Sequence, residues 1–219
     1  MSVVDRTLYR RRVLGAIAVS AVALALALAV GLPVAAAAGA SSGIKTFLVR
    51  SGEMPGFVVE GPPQFVTGAS RWVTAVERET GSRARRDVRT LRAAGFRAGV
   101  YENLRPKSGG SDKAAGASVL QFTTPTEARR FVTPEYSEGL ALQPRGATTH
   151  PLKVGIAGAG GFTVPGSGAT PAAASNAYFS AGRCVFVVGD FIDGRHPNTG
   201  GPVVAAARSI DRRVGGACA

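Results

Sequence analysis

The sequence has few of the residues on which enzymes and metal sites depend. Its 219 residues include 2 Cys and 2 His, and these side chains show none of the paired spacings of zinc sites. The spacing G-x-S-x-G occurs at Gly39-Ala-Ser-Ser-Gly43, where the predicted leader meets the linker. No predicted strand precedes it and no predicted helix follows it, so the sequence gives no argument for the nucleophile elbow of an α/β-hydrolase. We therefore assign no catalytic residue, no metal and no cofactor, and the sequence predicts a protein that is not an enzyme.

Lysine is also scarce, although positive charge is abundant. The chain carries 26 Lys+Arg against 14 Asp+Glu, and only Lys45, Lys107, Lys113 and Lys153 are lysines. Four Arg and one Asp lie in residues 1–40, which leaves a formal charge of +9 for the rest of the chain. A cationic domain attracts anionic surfaces such as lipid headgroups, wall polymers or nucleic acid.

One long hydrophobic run indicates where the protein works. Three arginines at positions 10–12 precede the uncharged run 13–32, which is typical of an export segment and places the remainder outside the cytoplasm. Two fates are open: cleavage after the small residues at 38–40, or retention of residues 13–32 as a membrane anchor, since about 20 apolar residues span a bilayer. The expected partners are therefore the cell envelope, the membrane surface or a protein located there, and not nucleic acid.

These features divide the chain into three parts. Residues 1–40 form a signal peptide or an anchor, residues 41–46 a short polar linker, and residues 47–219 a single exported domain that is long enough for its own core. Cys184 and Cys218 both lie in that domain. An even number of cysteines in an oxidising compartment favours a disulfide; the alternative is two buried free thiols.

The order of the predicted elements indicates an α+β fold. Apolar runs predict strands at 57–59, 96–104 and 117–122, and a hairpin of 176–180 with 184–192 in the middle of the sheet. Helical spacing predicts helices at 69–79, 83–94 and 202–214, and a short helix that Thr124 or Thr126 caps. Prolines 62–63 and 134 are expected to end the first strand and the short helix. Since strands and helices do not alternate strictly, we expect a largely antiparallel sheet with helices packed on it.

Three short motifs resemble those of small exported α+β domains of actinobacteria, including domains with PsbP-like folds. They are Met54-Pro-Gly-Phe57, Ala94-Gly-Phe96 and Val164-Pro-Gly-Ser167. The likeness spans most of the exported part. Such domains are mostly uncharacterised or non-catalytic, so the likeness implies an α+β fold and little about activity.

The predicted helix at 83–94 carries the candidate binding surface. Arg85, Arg89 and Arg92 recur at i, i+4 and i+7 with Arg86 beside them, so they share one face of the helix. Guanidinium groups bind phosphates or carboxylates through paired hydrogen bonds. The alternative is a solvated face enriched in arginine by coding bias. In that interpretation the arginine group, which also includes Arg83 and Arg97, is partly neutralised by Glu77, Glu79 and Asp87.

Other polar clusters have simpler structural explanations. Asp190, Asp193 and His196 lie close in sequence and suit acid–base work or cation binding, but such residues more often solvate the end of a strand. The glycines at 155–161 lack the Lys-Ser/Thr ending of a phosphate-binding loop, so we expect a bend there. Ser167 is expected to be a loop serine.

Three hypotheses about function follow from these observations. The first is a non-catalytic exported domain that binds a partner or an anionic surface at the cell envelope. The second is an extracytoplasmic domain that binds or senses a small ligand in a pocket near Trp72, Tyr101 and Tyr178. An enzyme of unseen mechanism is the third.

Overall fold

The computed structural model describes residues 43–77, 80–109, 113–141, 143, 147–164, 172–193, 198–215 and 217–218. In this part of the chain the strands are β1 Phe57–Thr67, β2 Phe96–Pro106, β3 Lys113–Phe122, β4 His150–Pro151, β5 Gly160–Val164, β6 Ala172–Ala181 and β7 Cys184–Asp193. The helices are α1 Ala69–Trp72, which continues as a π-helical turn Val73–Glu77, then α2 Gly81–Ala93, α3 Pro125–Ala141 and α4 Gly201–Val214.

The seven strands form one sheet in the order β1-β2-β3-β7-β6-β5-β4. Every neighbouring pair is antiparallel. The predicted α+β fold with an antiparallel sheet is therefore confirmed. The β6–β7 hairpin lies at the centre of the sheet as predicted, with Phe179 stacked on Phe186 at 4.9 Å between ring centroids.

Helices cover both faces of the sheet, because consecutive strand residues point to opposite sides. Val100 faces a core that contains α4 and the segment 43–56. Its neighbour Tyr101 faces a second core that contains α1, α2 and α3. The α1–α3 layer and the α4 layer are therefore separated by the sheet.

Helix α4 and the disulfide close the domain. The predicted apolar stripe of α4 is buried throughout; its members are Val203, Ala206, Ala207, Ile210 and Val214. Cys184 at the start of β7 is bonded to Cys218, with the two Cα atoms 5.9 Å apart. The predicted disulfide therefore attaches the tail of α4 to the central hairpin.

Two expectations about proline were wrong. Strand β1 continues past residues 62–63 to Thr67, with a register irregularity between Glu60 and Gln64. It is an edge strand, where a missing N–H donor on the outer side costs little. Helix α3 continues past Pro134 to Ala141, because Phe131 and Gly139 pack against the sheet on either side of the proline.

The segment that precedes β1 is packed against the α4 side of the sheet. Ile44, Leu48 and Met54 are buried there. Arg213 of α4 donates hydrogen bonds to the carbonyl oxygens of Thr46 and Leu48. The described end of the predicted 41–46 linker is thus in contact with the domain.

No helix in the described ranges is long and apolar enough to cross a membrane. The predicted leader, residues 1–40, lies outside those ranges. Its cleavage or retention stays a prediction.

Candidate functional site

Helix α2 forms as its sequence predicts. Ala84, Val88 and Leu91 turn towards the α1–α3 core, and Leu91 is 2 % exposed. The helix is followed by Gly95 in the left-handed region at φ 74°, a conformation that favours glycine. Phe96 then packs back against Trp72, with 5.7 Å between ring centroids.

The opposite face of α2 is exposed and basic. Arg85, Arg86, Arg89 and Arg92 are all exposed to solvent. At about 100° per residue, Arg85, Arg89 and Arg92 lie within roughly 60° of arc, and Arg86 lies about 60° further round. The predicted arginine stripe therefore exists as a surface of the folded domain.

The structure distinguishes the arginines that hold the fold from those that do not. Arg83 forms a salt bridge to Glu138 of α3 at 3.2 Å, and Arg97 donates to the Thr123 hydroxyl at 3.1 Å. The guanidinium groups of Arg85, Arg86 and Arg89 form no hydrogen bond or ion pair with any residue of the described ranges. Three guanidinium groups on one helix are therefore available to an external ligand.

A contact between helices extends this surface to α1. Arg92 donates a hydrogen bond from Nη2 to the Ser70 hydroxyl at 3.0 Å. The residue after Ser70 is Arg71, which is also exposed. Sequence spacing did not indicate Arg71, because it belongs to a different helix. We call the set Arg71, Arg85, Arg86, Arg89 and Arg92 the basic patch.

Two of the acidic residues expected to neutralise the stripe are not fully exposed to solvent. Asp87 and Glu77 are partly buried and take part in other interactions, and Glu79 lies outside the described ranges. Glu138 is paired with Arg83. Burial raises the pKa of Glu135 on α3, and the charges of Glu138 and Asp87 raise it further. Asp87, Glu135 and Glu138 are thus close to one another between α2 and α3.

The structure places Asp190 where it cannot meet a substrate. Its side chain is 0 % exposed, and its Oδ1 accepts a hydrogen bond from Asn198 Nδ2 at 2.7 Å. Asn198 Oδ1 in turn accepts the Gly200 N–H at 2.9 Å, just before α4 begins. Burial raises the pKa of Asp190 to about 6, although hydrogen bonds from Asn198 and Ser175 oppose the rise. Asp190 therefore positions the start of α4.

The remainder of the Asp190 cluster has no structural support. Asp193 pairs through its backbone with Ala172, while its side chain and all of His196 lie outside the described residues. Within the described residues no group of three or more His, Cys, Asp or Glu side chains is arranged to hold a metal ion. In the glycine run, Gly155 and Gly158 have positive φ and form the expected bend before β5, and Ser167 lies outside the described residues.

The three aromatic residues of the predicted ligand pocket are core residues. Trp72, Tyr101 and Tyr178 are 3 %, 6 % and 2 % exposed. Trp72 contacts Tyr101 edge to face at 6.2 Å between centroids, whereas Tyr178 stacks with Phe162 at 6.3 Å. Their rings fill the α1–α3 core, and the pocket stays a prediction.

One solved structure shows a weak likeness to this chain. No protein-family model matches the chain, and no curated protein matches it. The crystal structure of the extracellular domain of PknH from Mycobacterium tuberculosis aligns with a TM-score of 0.49 and 14 % identity, over 76 % of this chain and 94 % of that chain. No function follows from a likeness of this degree, and the resemblance to PsbP-like domains stays a prediction.

Proposed function

We propose that the chain is a non-catalytic exported domain that binds an anionic component of the cell envelope through the basic patch. The observation that supports this proposal most directly is that the guanidinium groups of Arg85, Arg86 and Arg89 on α2 are exposed and have no partner among the described residues. Guanidinium groups that are solvated and unpaired keep all their donors for an oxyanion.

The three arginines on α2 do not stabilise the fold through contacts with other elements of the described structure. Other arginines of the domain hold its elements together, as Arg213 does with Glu53 at 2.8 Å and Arg208 with the Val154 carbonyl at 2.7 Å. Arg85, Arg86 and Arg89 make no such contact in the described residues, so replacing them removes charge without removing packing. Like charges on successive turns repel each other, which a bound anion would relieve.

The experiment that tests the proposal measures envelope association in the producing cell. Wild-type protein and the triple variant R85Q/R86Q/R89Q are expressed as full chains, and washed envelope fractions are extracted with increasing salt. We expect salt to release the wild-type protein because exposed charge attraction is screened within about 10 Å at 0.1 M. The triple variant should elute at lower salt or not associate.

A matched control variant is R105Q/K107Q/R212Q, which removes three exposed charges elsewhere. Arg105 lies nine residues along β2 from Phe96, which is about 30 Å from the start of that strand. If the control and the triple variant lose association equally, net charge and not the basic patch is responsible. Association that survives about 0.5 M salt in both would contradict the electrostatic proposal.

A further inference from the structure

We propose that the ligand of the basic patch is a flexible anionic polymer with repeated phosphate or carboxylate groups, and not a lipid bilayer or a folded protein. This inference rests on the proposed function above and specifies its partner. The inference is based on the polar side chains exposed around the arginines and on the lack of a large exposed apolar side chain on α2.

A bilayer is a poor partner because α2 exposes no large apolar side chain that could insert. Interfacial helices bury an apolar face at the headgroup boundary. The apolar face of α2 is already used, since Ala84, Val88 and Leu91 pack in the α1–α3 core. The other exposed side chains of α2 are Ser82, Thr90 and Ala93, and none of them anchors a helix in lipid.

A folded protein partner is disfavoured by the same surface composition. Stable protein interfaces centre on buried aromatic or aliphatic residues, with charges at the rim. The basic patch has no such centre among the exposed residues of α2. Its long arginine side chains are held at few points, the Arg92–Ser70 hydrogen bond being one of them.

An extended polyanion fits the arrangement of the arginines. From Arg85 to Arg92 the stripe rises about 10 Å along the helix, so successive guanidinium groups meet successive charges of an extended chain. Arg71 is a further exposed arginine, on the helix that Arg92 contacts through Ser70. Each contact is weak, but contacts made along one polymer add through effective concentration. Affinity should therefore depend on polymer length more than on the chemistry of one group.

The test compares four probes on the protein recovered from the producing cell, at low and at physiological salt. Fluorescein-labelled polyphosphate of several tens of units and poly-L-glutamate are titrated by anisotropy, and inorganic phosphate is added as a competitor. Sedimentation with vesicles of phosphatidylglycerol and phosphatidylcholine tests the membrane. Comparing the affinities for polyphosphate and for polyglutamate shows whether the patch prefers phosphate or carboxylate groups.

We expect saturable, salt-sensitive binding of at least one polymer, with inorganic phosphate competing at least tenfold less well per phosphate group. R85Q/R86Q/R89Q should weaken polymer binding roughly 100-fold, since each basic side chain contributes about fivefold at an anionic surface. R105Q/K107Q/R212Q should weaken it by less than about threefold. Thermal unfolding of both variants should match the wild type, since surface substitutions rarely change stability.

The outcomes separate this inference from the proposed function. Vesicle binding without polymer binding would overturn the proposal that the ligand is a polymer. The proposed role of the basic patch at the envelope would stand. Equal weakening by the two triple variants would overturn the patch as the polymer site. If no probe binds and envelope association also survives in R85Q/R86Q/R89Q, both proposals are wrong.

Discussion

Glu102 offers a quantitative test of how the domain responds to pH. Its side chain is 5 % exposed on β2, and its Oε1 accepts a hydrogen bond from the Val49 N–H at 2.6 Å. Burial raises the pKa of Glu102 to about 7 from an ordinary value of 4.5, and the charge of Glu53 adds to the rise. The Val49 hydrogen bond and the charge of Arg213 oppose it.

The direction of the effect follows from proton linkage. Because the folded protein binds the Glu102 proton more tightly than the unfolded chain does, this group favours folding most below about pH 4.5. That contribution is lost as the pH rises through 7. The interval from 4.5 to about 7 corresponds to about 3 kcal/mol in the free energy of unfolding.

The perturbation is Glu102→Gln, which keeps the acceptor for Val49 and removes the titration. Between pH 4 and pH 8 the wild type should lose the stability that the Glu102 proton provides, and the variant should not. The decrease in the free energy of unfolding over this range should therefore be about 3 kcal/mol smaller in the variant than in the wild type. Urea denaturation at each half pH unit measures this difference. Asp190 is unchanged in both proteins, so its contribution cancels.

The control is Glu60→Gln, which alters an exposed glutamate on the adjacent edge strand. Stability curves of wild type and Glu102→Gln that run parallel from pH 4 to pH 8 would refute the assignment. Such a result would mean that Glu102 is solvated in solution.

Three further predictions concern the fold. Gly99→Ala should destabilise the domain by about 2 kcal/mol, because a Cβ there would lie 2.1 Å from Trp72 Cζ3. Urea denaturation measures this loss. In the control Gly43→Ala the added Cβ meets open space, so the free energy of unfolding should change little. Thr124→Ala should lower the free energy of unfolding, measured by thermal unfolding, by about 1 kcal/mol. The reason is that Thr124 and Glu127 cap the start of α3 through reciprocal hydrogen bonds. An equal loss in Thr126→Ala would contradict this assignment. Reducing the disulfide should lower the free energy of unfolding by roughly 3–4 kcal/mol, and an unchanged urea midpoint would count against it.

Periodicity predicted the fold where one face of an element is buried. The β6–β7 hairpin and α4 follow from their apolar spacing because the same side chains that set the pattern fill the core. The proline rules failed since they describe local geometry, whereas the edge position of β1 and the packing of α3 on the sheet arise from distant parts of the chain. Between Thr124 and Thr126, only the hydrogen bonds to Glu127 identify Thr124 as the cap.

Spacing also located the exposed face of α2, but it did not separate engaged arginines from unengaged ones. The partner of Arg83 is 55 residues away in sequence, and that of Arg92 is 22 residues away. No local pattern contains such information. Arg71 is included in the basic patch because Arg92 contacts the preceding residue, Ser70, and sequence spacing does not show that contact.

The contacts of Arg213 determine which face of the domain is exposed when the domain is attached to a tag or a support. They bring the first described segment, through Thr46 and Leu48, against the last helix, and Cys218 is bonded to β7 on that same side of the sheet. Both ends of the described chain are therefore on the face opposite α2. A tag, a solid support or a fused partner attached at either end would leave the basic patch facing away from the point of attachment.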